Sequence, residues 1–260
     1  MYCPVANFDM VALDTMFSPL IVSVIVIVGV ESQSAAMPDA DLVKAVKVYL
    51  AAKKLVRDSN ANAFTINCFA ILLKDINALP VTPCIAISLL NDEGIPAACE
   101  ADLSSLIMQV IFKHLADRPS WIVDPIIDFS GNYIVHAHCT APTKMRGYSS
   151  ESEPYALDTH DESGKPVVMR TKMSVGEVVT VAQISSDFSK LLVHVGKIED
   201  TPITDLACRT KIKIKAKDVK EYLWNYEMPL HRVVVYGDWV DELRILSKLM
   251  GLQFQYELPQ

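Results

Sequence analysis

Two acidic residues precede an apolar, helix-like segment in the first half of the chain. Glu100 and Asp102 follow the small, apolar stretch IPAAC and open the segment DLSSLIMQV. In open α/β sheets, ligands gather at the carboxyl ends of strands, where residues in such a position lie. Carboxylates placed there could bind a metal ion or transfer a proton. A structural role stays open, because negative side chains also stabilise a helix N-terminus.

A third acidic residue lies inside an apolar, strand-like run. Asp124 is flanked by Val123 and Pro125 in the segment SWIVDPII. A carboxylate in such surroundings is either paired or bound to a cation, because burying an uncompensated charge is costly. The residue could also cap a turn before Pro125. Asp124 alone therefore does not distinguish a cation ligand from a local structural role.

The histidines offer further candidate ligands. His136 and His138 lie on the same side of a predicted strand in HAHC, whereas Cys139 lies on the opposite side. This geometry disfavours a zinc site built from all three residues. His231 begins the predicted strand HRVVVYGD. A single histidine in that position is commonly structural, so it indicates no site without partners.

The composition is that of a globular protein. The chain has 260 residues, of which 51% are hydrophobic and 21% charged, so it has room for one large domain or two modest ones. The formal net charge of -7 argues against a general nucleic-acid-binding protein. Basic residues do alternate in RTKIKIKAK, but no aromatic residues lie between them. We predict that this run is an outer barrel strand whose lysines discourage edge pairing.

Other features bear on the cellular compartment. The six cysteines are scattered and form no C-x-x-C pair, which predicts buried free thiols in a reducing compartment. The N-terminus lacks the basic region of a signal peptide. An uncharged stretch over residues 15–30 is shorter than the roughly 20 residues of a membrane-spanning helix and suits a buried strand. We therefore expect a cytoplasmic protein with no membrane segment.

The elements around the candidate residues alternate between helix and strand. DADLVKAVKVYLAAKKLV and DLSSLIMQVIFKHLA have helical periodicity, whereas PCIAISLL, WIVDPIIDF and NYIVHAH are typical of apolar strands. In the second helix, the residues spaced for a buried face are Leu103, Leu106, Ile107 and Val110. This alternation predicts an α/β fold with a largely parallel sheet.

The pattern changes after the polar segment TKMRGYSSESEPY. Short alternating runs separated by glycines follow, which predict a small antiparallel barrel or sandwich. The chain then shows a strand ending at Tyr236, a turn at Gly237 and a helix ending at Gly251. We predict an α/β domain over residues 1–145, with the first 38 or so atypical, and a β-rich domain with a C-terminal strand–helix unit over residues 146–260.

The order of these motifs resembles a known enzyme family. The acid–x–acid step before an apolar helix, the aspartate in the next strand and HAHCTAP are similar to L-fucose isomerases and their shorter fucose-isomerase-like relatives. The resemblance continues through YALDTHDES, ACRTKIKI and HRVVVYGDWVDELRIL and spans about residues 39–252. The ordered series is more specific than any single motif.

The resemblance implies an activity and a site. Family members are ketol isomerases that use a divalent metal, typically manganese, and interconvert an aldose and a ketose through an ene-diol. Matching the motifs residue by residue gives Glu100, Asp124 and His231 as Mn²⁺ ligands, with Glu100 and Asp124 also as catalytic proton carriers. Asp102 and His138 match motif positions but receive no ligand role. A monosaccharide substrate and a homo-oligomer are expected.

The chain also departs from the family pattern. Family members usually have another α/β domain ahead of this region, whereas the stretch before residue 39 does not resemble one. Leu230 stands before His231, where a polar residue is expected in true fucose isomerases. The alternative hypothesis is therefore a non-catalytic remnant that binds metal or sugar or serves assembly.

Overall fold

The computed structural model describes residues 37–72, 79–204 and 206–258. The apolar stretch at residues 15–30, predicted to be a buried strand, lies outside these ranges, as does almost all of the atypical N-terminal segment. Among the described helices, none combines the length and apolar character needed to cross a membrane.

The described ranges contain six helices and eleven strands. The helices are α1 (Asp39–Asp58), α2 (Cys68–Leu72), α3 (Cys84–Asp92), α4 (Leu103–Ala116), α5 (Val219–Asn225) and α6 (Val240–Met250). The strands are β1 (Phe64–Thr65), β2 (Ala97–Ala98), β3 (Trp121–Asp128), β4 (Tyr133–His138), β5 (Tyr155–Thr159), β6 (Pro166–Thr171), β7 (Val178–Ile184), β8 (Lys190–Asp200), β9 (Thr210–Lys215), β10 (Arg232–Tyr236) and β11 (Gln253–Tyr256).

A six-stranded antiparallel barrel dominates the fold. Its strands follow the order β8-β7-β10-β3-β4-β9, and pairing of β8 with β9 closes it. Strand β11 extends the sheet by pairing parallel to β8. The alternating runs that become β7, β8 and β9 thus join the predicted barrel, whereas β6 pairs with β5 in a separate hairpin. The barrel also takes β3 and β4 from before the predicted domain boundary at residues 145/146, and that boundary stays a prediction.

The α-helical part contains a small parallel sheet and its own core. Strands β1 and β2 pair in parallel, with Phe64 opposite Ala97 and Thr65 opposite Ala98. Buried side chains of α1 and α3 pack there with the β5–β6 hairpin, including Val46, Leu90 and Val167. The fold is thus mixed α/β. Among the described residues the parallel part is smaller than predicted, because β3 and β4 join the antiparallel barrel.

The segment PCIAISLL is helix α3, and its prediction as a strand was wrong. It is buried along almost its whole length. A short, uniformly apolar run does not distinguish a buried strand from a buried helix, because periodicity is lost. In the structure, the Ser88 hydroxyl donates to the carbonyl of Cys84 one helical turn earlier, at 3.2 Å.

Helix α4 lies where the sequence predicts it, but it buries a different face. Leu103 is 62% exposed and Ile107 is 37% exposed. The buried residues of α4 are Ser105, Met108, Gln109, Phe112 and Ala116. The prediction placed only apolar residues on the buried face, whereas polar residues of α4 are also buried because they are hydrogen-bonded. For example, the Gln109 amide donates to the carbonyl of Ser120 at 3.0 Å.

Several other predictions are confirmed. The basic run forms barrel strand β9, but β9 pairs with β4 on one side and with β8 on the other, so the prediction that its lysines protect a free edge was wrong. The Lys213 and Lys215 ammonium groups lie 4.2 and 4.3 Å from the centre of the Tyr133 ring. Helix α6 ends at Gly251, whose φ of 72° is the left-handed conformation that glycine favours. The five described cysteines are buried and free.

Candidate active site

Glu100 lies in the tight turn between β2 and α4. Both Glu100 and Ala101 adopt positive φ angles, of 61° and 56°. Such angles are uncommon for residues with a side chain. The turn is held by hydrogen bonds from the Ala101 amide to the Ile66 carbonyl and from the Asp102 amide to the Cys99 carbonyl, both 3.1 Å. Glu100 thus follows the short strand β2 and not the strand predicted at PCIAISLL, and helix α4 begins only at Leu103.

The barrel ladder places Asp124 beside His231. Strands β3 and β10 are antiparallel, with Arg232 opposite Val123. Extending this register by one residue places His231 opposite Asp124. One Asp124 carboxylate oxygen lies 3.4 Å from His231 Nε2. Two residues separated by about a hundred positions in sequence are therefore neighbours because their strands pair.

The predicted site residues converge around His231. Its Nε2 lies 3.4 Å from a Glu100 oxygen as well as from Asp124. His138, at the end of β4, brings its own Nε2 to 3.5 Å from the other Glu100 oxygen. Ligand atoms of Glu100, His138 and His231 all lie within 4.8 Å of one another. The geometry thus adds His138 to the three residues predicted as ligands, while the roles of all four stay predictions.

A ring of hydrogen bonds orients His231. Its Nδ1 donates to Asp102 Oδ2 at 2.9 Å. The Ser105 hydroxyl donates to the same oxygen at 2.7 Å, and the Ser105 amide donates to Asp102 Oδ1 at 3.0 Å. Gln183 Nε2 closes the ring by donating to the Ser105 hydroxyl at 2.8 Å and to the His231 carbonyl at 3.0 Å. Asp102 therefore caps α4, as considered from the sequence, and also fixes the imidazole.

A second buried network supports the strand that begins at His231. The Arg232 guanidinium donates to Glu257 Oε1 at 2.8 Å and to the His231 carbonyl at 3.0 Å. His194 Nδ1 lies 3.1 Å from the other Glu257 oxygen. All three side chains have 0% exposure. This network connects the start of β10 to the barrel wall and to the chain segment after β11.

The two carboxylates at the centre differ in their electrostatic environment. Burial alone would raise the pKa of Glu100, but its contacts with His138 and His231 lower that pKa to about 2. Burial raises the pKa of Asp124, and the nearby histidines only partly offset this effect. Burial also opposes protonation of His231, yet Asp102 and Glu100 raise its pKa to about 10. Glu100 is thus the more firmly ionised of the two acids.

The donor set fits a divalent cation. The Nε2 atoms of His138 and His231 are buried and have no hydrogen-bond partner among the described residues. Both atoms face the Glu100 carboxylate. A histidine whose other ring nitrogen donates to a carboxylate, as His231 does to Asp102, is the usual arrangement of a metal-binding imidazole. Oxygen ligands with imidazole suit manganese or iron better than calcium.

A cavity of about 170 Å³ opens onto this cluster. Glu100, Asp124 and His138 line it together with Glu162. A larger cavity of about 430 Å³ lies between the β5–β6 hairpin and residues 201–203, and none of the predicted site residues lines it. The smaller cavity is therefore the one positioned for the predicted chemistry.

Comparison with known proteins supports the isomerase resemblance. No model of a known protein family matches the chain. The chain is similar to sulfoquinovose isomerases. It is 25% identical to that of Priestia aryabhattai over 207 residues, which is 77% of this chain and 45% of the relative. Identity is 26% over 235 residues to that of Clostridium sp. (strain MSTE9), covering 86% of this chain and 50% of the relative.

A third relative extends the same similarity. The sulfoquinovose isomerase of Alkalicoccus urumqiensis is 23% identical over 222 residues, covering 82% of this chain and 48% of the relative. The chain thus spans about half the length of the curated relatives it matches. These relatives are named as sulfoquinovose isomerases, and the resemblance to L-fucose isomerase stays a prediction.

Proposed function

We propose that this chain contains the proton-transfer and cation-binding residues of an aldose–ketose isomerase. The observation that carries the proposal is the convergence of Glu100 and Asp124 on the His231 imidazole, with His138 facing the same Glu100 carboxylate. Similarity to sulfoquinovose isomerases supports the same reaction type. A module that served assembly alone would not need two carboxylates and two imidazoles in one cluster.

The two carboxylates suit the two proton movements of an isomerisation. An aldose loses a proton from C2 and gains one at C1 as it becomes a ketose, through an ene-diol. A base that is ionised and an acid that holds its proton more readily are needed together. Without a bound cation, the pKa of Glu100 is lowered and that of Asp124 is raised, so the two carboxyl groups differ before any metal binds. We assign Glu100 as the base for C2 and Asp124 as the group that returns a proton.

Glu100, Asp124 and His231 would hold the divalent cation, and His138 is well placed to join them. A bound Mn²⁺ supplies positive charge that polarises the sugar carbonyl. His231 would hold the cation through an unprotonated Nε2, so it would have to release the proton that Asp102 and Glu100 stabilise in the cation-free chain. Asp102 keeps the imidazole oriented in either state.

The substrate and assembly follow as further proposals. A monosaccharide is the expected substrate, and the names of the relatives make sulfoquinovose the first sugar to test. L-Fucose is the second, because of the motif resemblance. We also propose a cytoplasmic homo-oligomer, in which a neighbouring subunit completes the sugar pocket.

Turnover tests the proposal directly. The purified chain is incubated with Mn²⁺ and a panel of aldoses that includes sulfoquinovose and L-fucose, and ketose formation is followed by chromatography. We expect one sugar to be converted, with loss of activity after chelation of the metal. Binding of Mn²⁺ without conversion of any sugar would instead support a non-catalytic module.

Asp102→Asn is expected to weaken Mn²⁺ binding by about 10–100-fold, because loss of a carboxylate partner disorients a ligating histidine. The measurement is Mn²⁺ titration by calorimetry or electron paramagnetic resonance. Asp117→Asn makes the same charge change at the other end of α4, where the left-handed conformation of residue 117 suits asparagine. Equal affinity in the two variants would contradict a positioning role for Asp102.

A further inference from the structure

Two cysteines lie close to Glu100, in addition to the imidazole cluster. The sulfur atoms of Cys68, at the start of α2, and Cys99, directly after β2, are 3.1 Å apart. Both side chains are buried, with 4% and 2% exposure. The two sulfurs and a Glu100 oxygen all lie within 4.8 Å of one another. Glu100 is thus shared by two distinct sets of potential metal ligands.

The chemistry of this second set differs from that of the first. Thiolates prefer soft cations such as Zn²⁺ and Cd²⁺, whereas a set of carboxylates and imidazoles suits manganese. Tetrahedral zinc with Zn–S bonds of about 2.3 Å places its two sulfurs about 3.8 Å apart. The pair would therefore need to separate by about 0.7 Å, a small side-chain movement. Cys68, Cys99 and Glu100 also line the 170 Å³ cavity, which gives a cation access.

We propose that Cys68, Cys99 and Glu100 form a binding site for a thiophilic divalent cation such as Zn²⁺ or Cd²⁺. On binding, each thiol releases its proton to solvent, two metal–sulfur bonds form and the Glu100 carboxylate supplies a third ligand. A solvent molecule or an exchangeable ligand completes the tetrahedral coordination. The site makes the chain a receptor for soft cations whether or not it isomerises a sugar.

Glu100 belongs to both sets of ligands, so binding of a cation at one site affects binding at the other. The Glu100 oxygens already lie 3.5 and 3.4 Å from His138 and His231, so a cation at the thiolates draws on a carboxylate that the imidazole site also uses. A soft cation on the thiolate side and a hard cation on the imidazole side therefore compete for one side chain. We expect bound Cd²⁺ to weaken Mn²⁺ binding at least tenfold.

The test is a Cd²⁺ titration of the whole reduced chain without sugar, followed by the ultraviolet charge-transfer band of Cd²⁺–thiolate bonds. We expect the band to saturate at one equivalent in the wild type and to be lost in Cys68→Ser and Cys99→Ser. The matched control is Cys208→Ser, which removes another buried thiol at the same cavity and should keep the band. Circular dichroism checks the fold of each variant.

X-ray absorption of the Zn²⁺-loaded wild type tests the ligands without any substitution. The expected result is a shell of two sulfurs at about 2.3 Å together with oxygen. A shell containing only nitrogen and oxygen, or a band lost in Cys208→Ser but kept in Cys99→Ser, would overturn the proposal. Because no sugar is present, these outcomes are independent of whether the chain is an isomerase.

Discussion

Glu100→Gln is expected to slow aldose–ketose conversion by roughly 10²–10⁴-fold, the range by which a positioned acid–base group accelerates a proton transfer. Glutamine keeps the size of the side chain but cannot accept a proton from C2. The measurement is kcat for the sugar that the wild type converts, at saturating Mn²⁺. Parallel Mn²⁺ titration separates the loss of a metal ligand from the loss of a proton carrier.

The matched control for this variant is Glu162→Gln, which removes another acid from the lining of the same cavity. Glu162 contacts His160 at 3.2 Å rather than the central imidazoles. Its replacement should change kcat by less than about threefold, because the Glu162 side chain is 43% exposed and solvent screens its charge. Similar losses in both variants would mean that overall cavity charge, and not the position of Glu100, controls the reaction.

Arg232→Met is expected to reduce the free energy of unfolding by about 3–5 kcal/mol. The substitution leaves Glu257 ionised, with 0% exposure and only His194 to compensate it. It also removes the guanidinium donors to the carbonyls of Pro229 and His231. Denaturant unfolding followed by circular dichroism measures the effect.

The control for Arg232→Met is Lys190→Met, at an ion pair with Glu227 whose side chains are 26% and 36% exposed. Exposed pairs contribute about 0–1 kcal/mol, so this variant should unfold close to the wild type. The double variant Arg232→Met/Glu257→Leu should recover part of the lost stability, because no buried charge is left unpaired. A single variant as stable as Lys190→Met would refute this account.

Local patterns predicted much of the fold. Alternation identified the barrel strands, and periodicity identified α1 and α4. The errors arose where burial depends on distant partners. Helix α3 is apolar on all sides, so its sequence shows no helical periodicity. Ser105 and Gln109 of α4 are polar yet buried, because Ser105 accepts a hydrogen bond from, and Gln109 donates one to, partners elsewhere in the chain. The joining of β3 and β4 to later strands is likewise a long-range pairing.

The candidate site was predicted in part. Motif order identified Glu100, Asp124 and His231, and the structure brings all three together. His138 and Asp102 were matched without a role, because only the folded chain shows that one faces Glu100 and the other holds His231. Gln183 was missed altogether, since a glutamine in an alternating strand carries no signal of a contact 78 residues away.

The ring formed by Asp102, Ser105, Gln183 and His231 has a consequence for affinity. A side chain that is free in the unliganded protein loses conformational entropy on binding, at a cost of about 0.5–1.5 kcal/mol. The His231 imidazole has already lost that freedom on folding. Hydrogen bonds to neighbouring elements hold both its ring Nδ1 and the backbone carbonyl of His231. A ligand at Nε2 therefore meets an ordered group. Because less entropy is lost, such a ligand would bind more tightly than it would to an imidazole that is free to rotate.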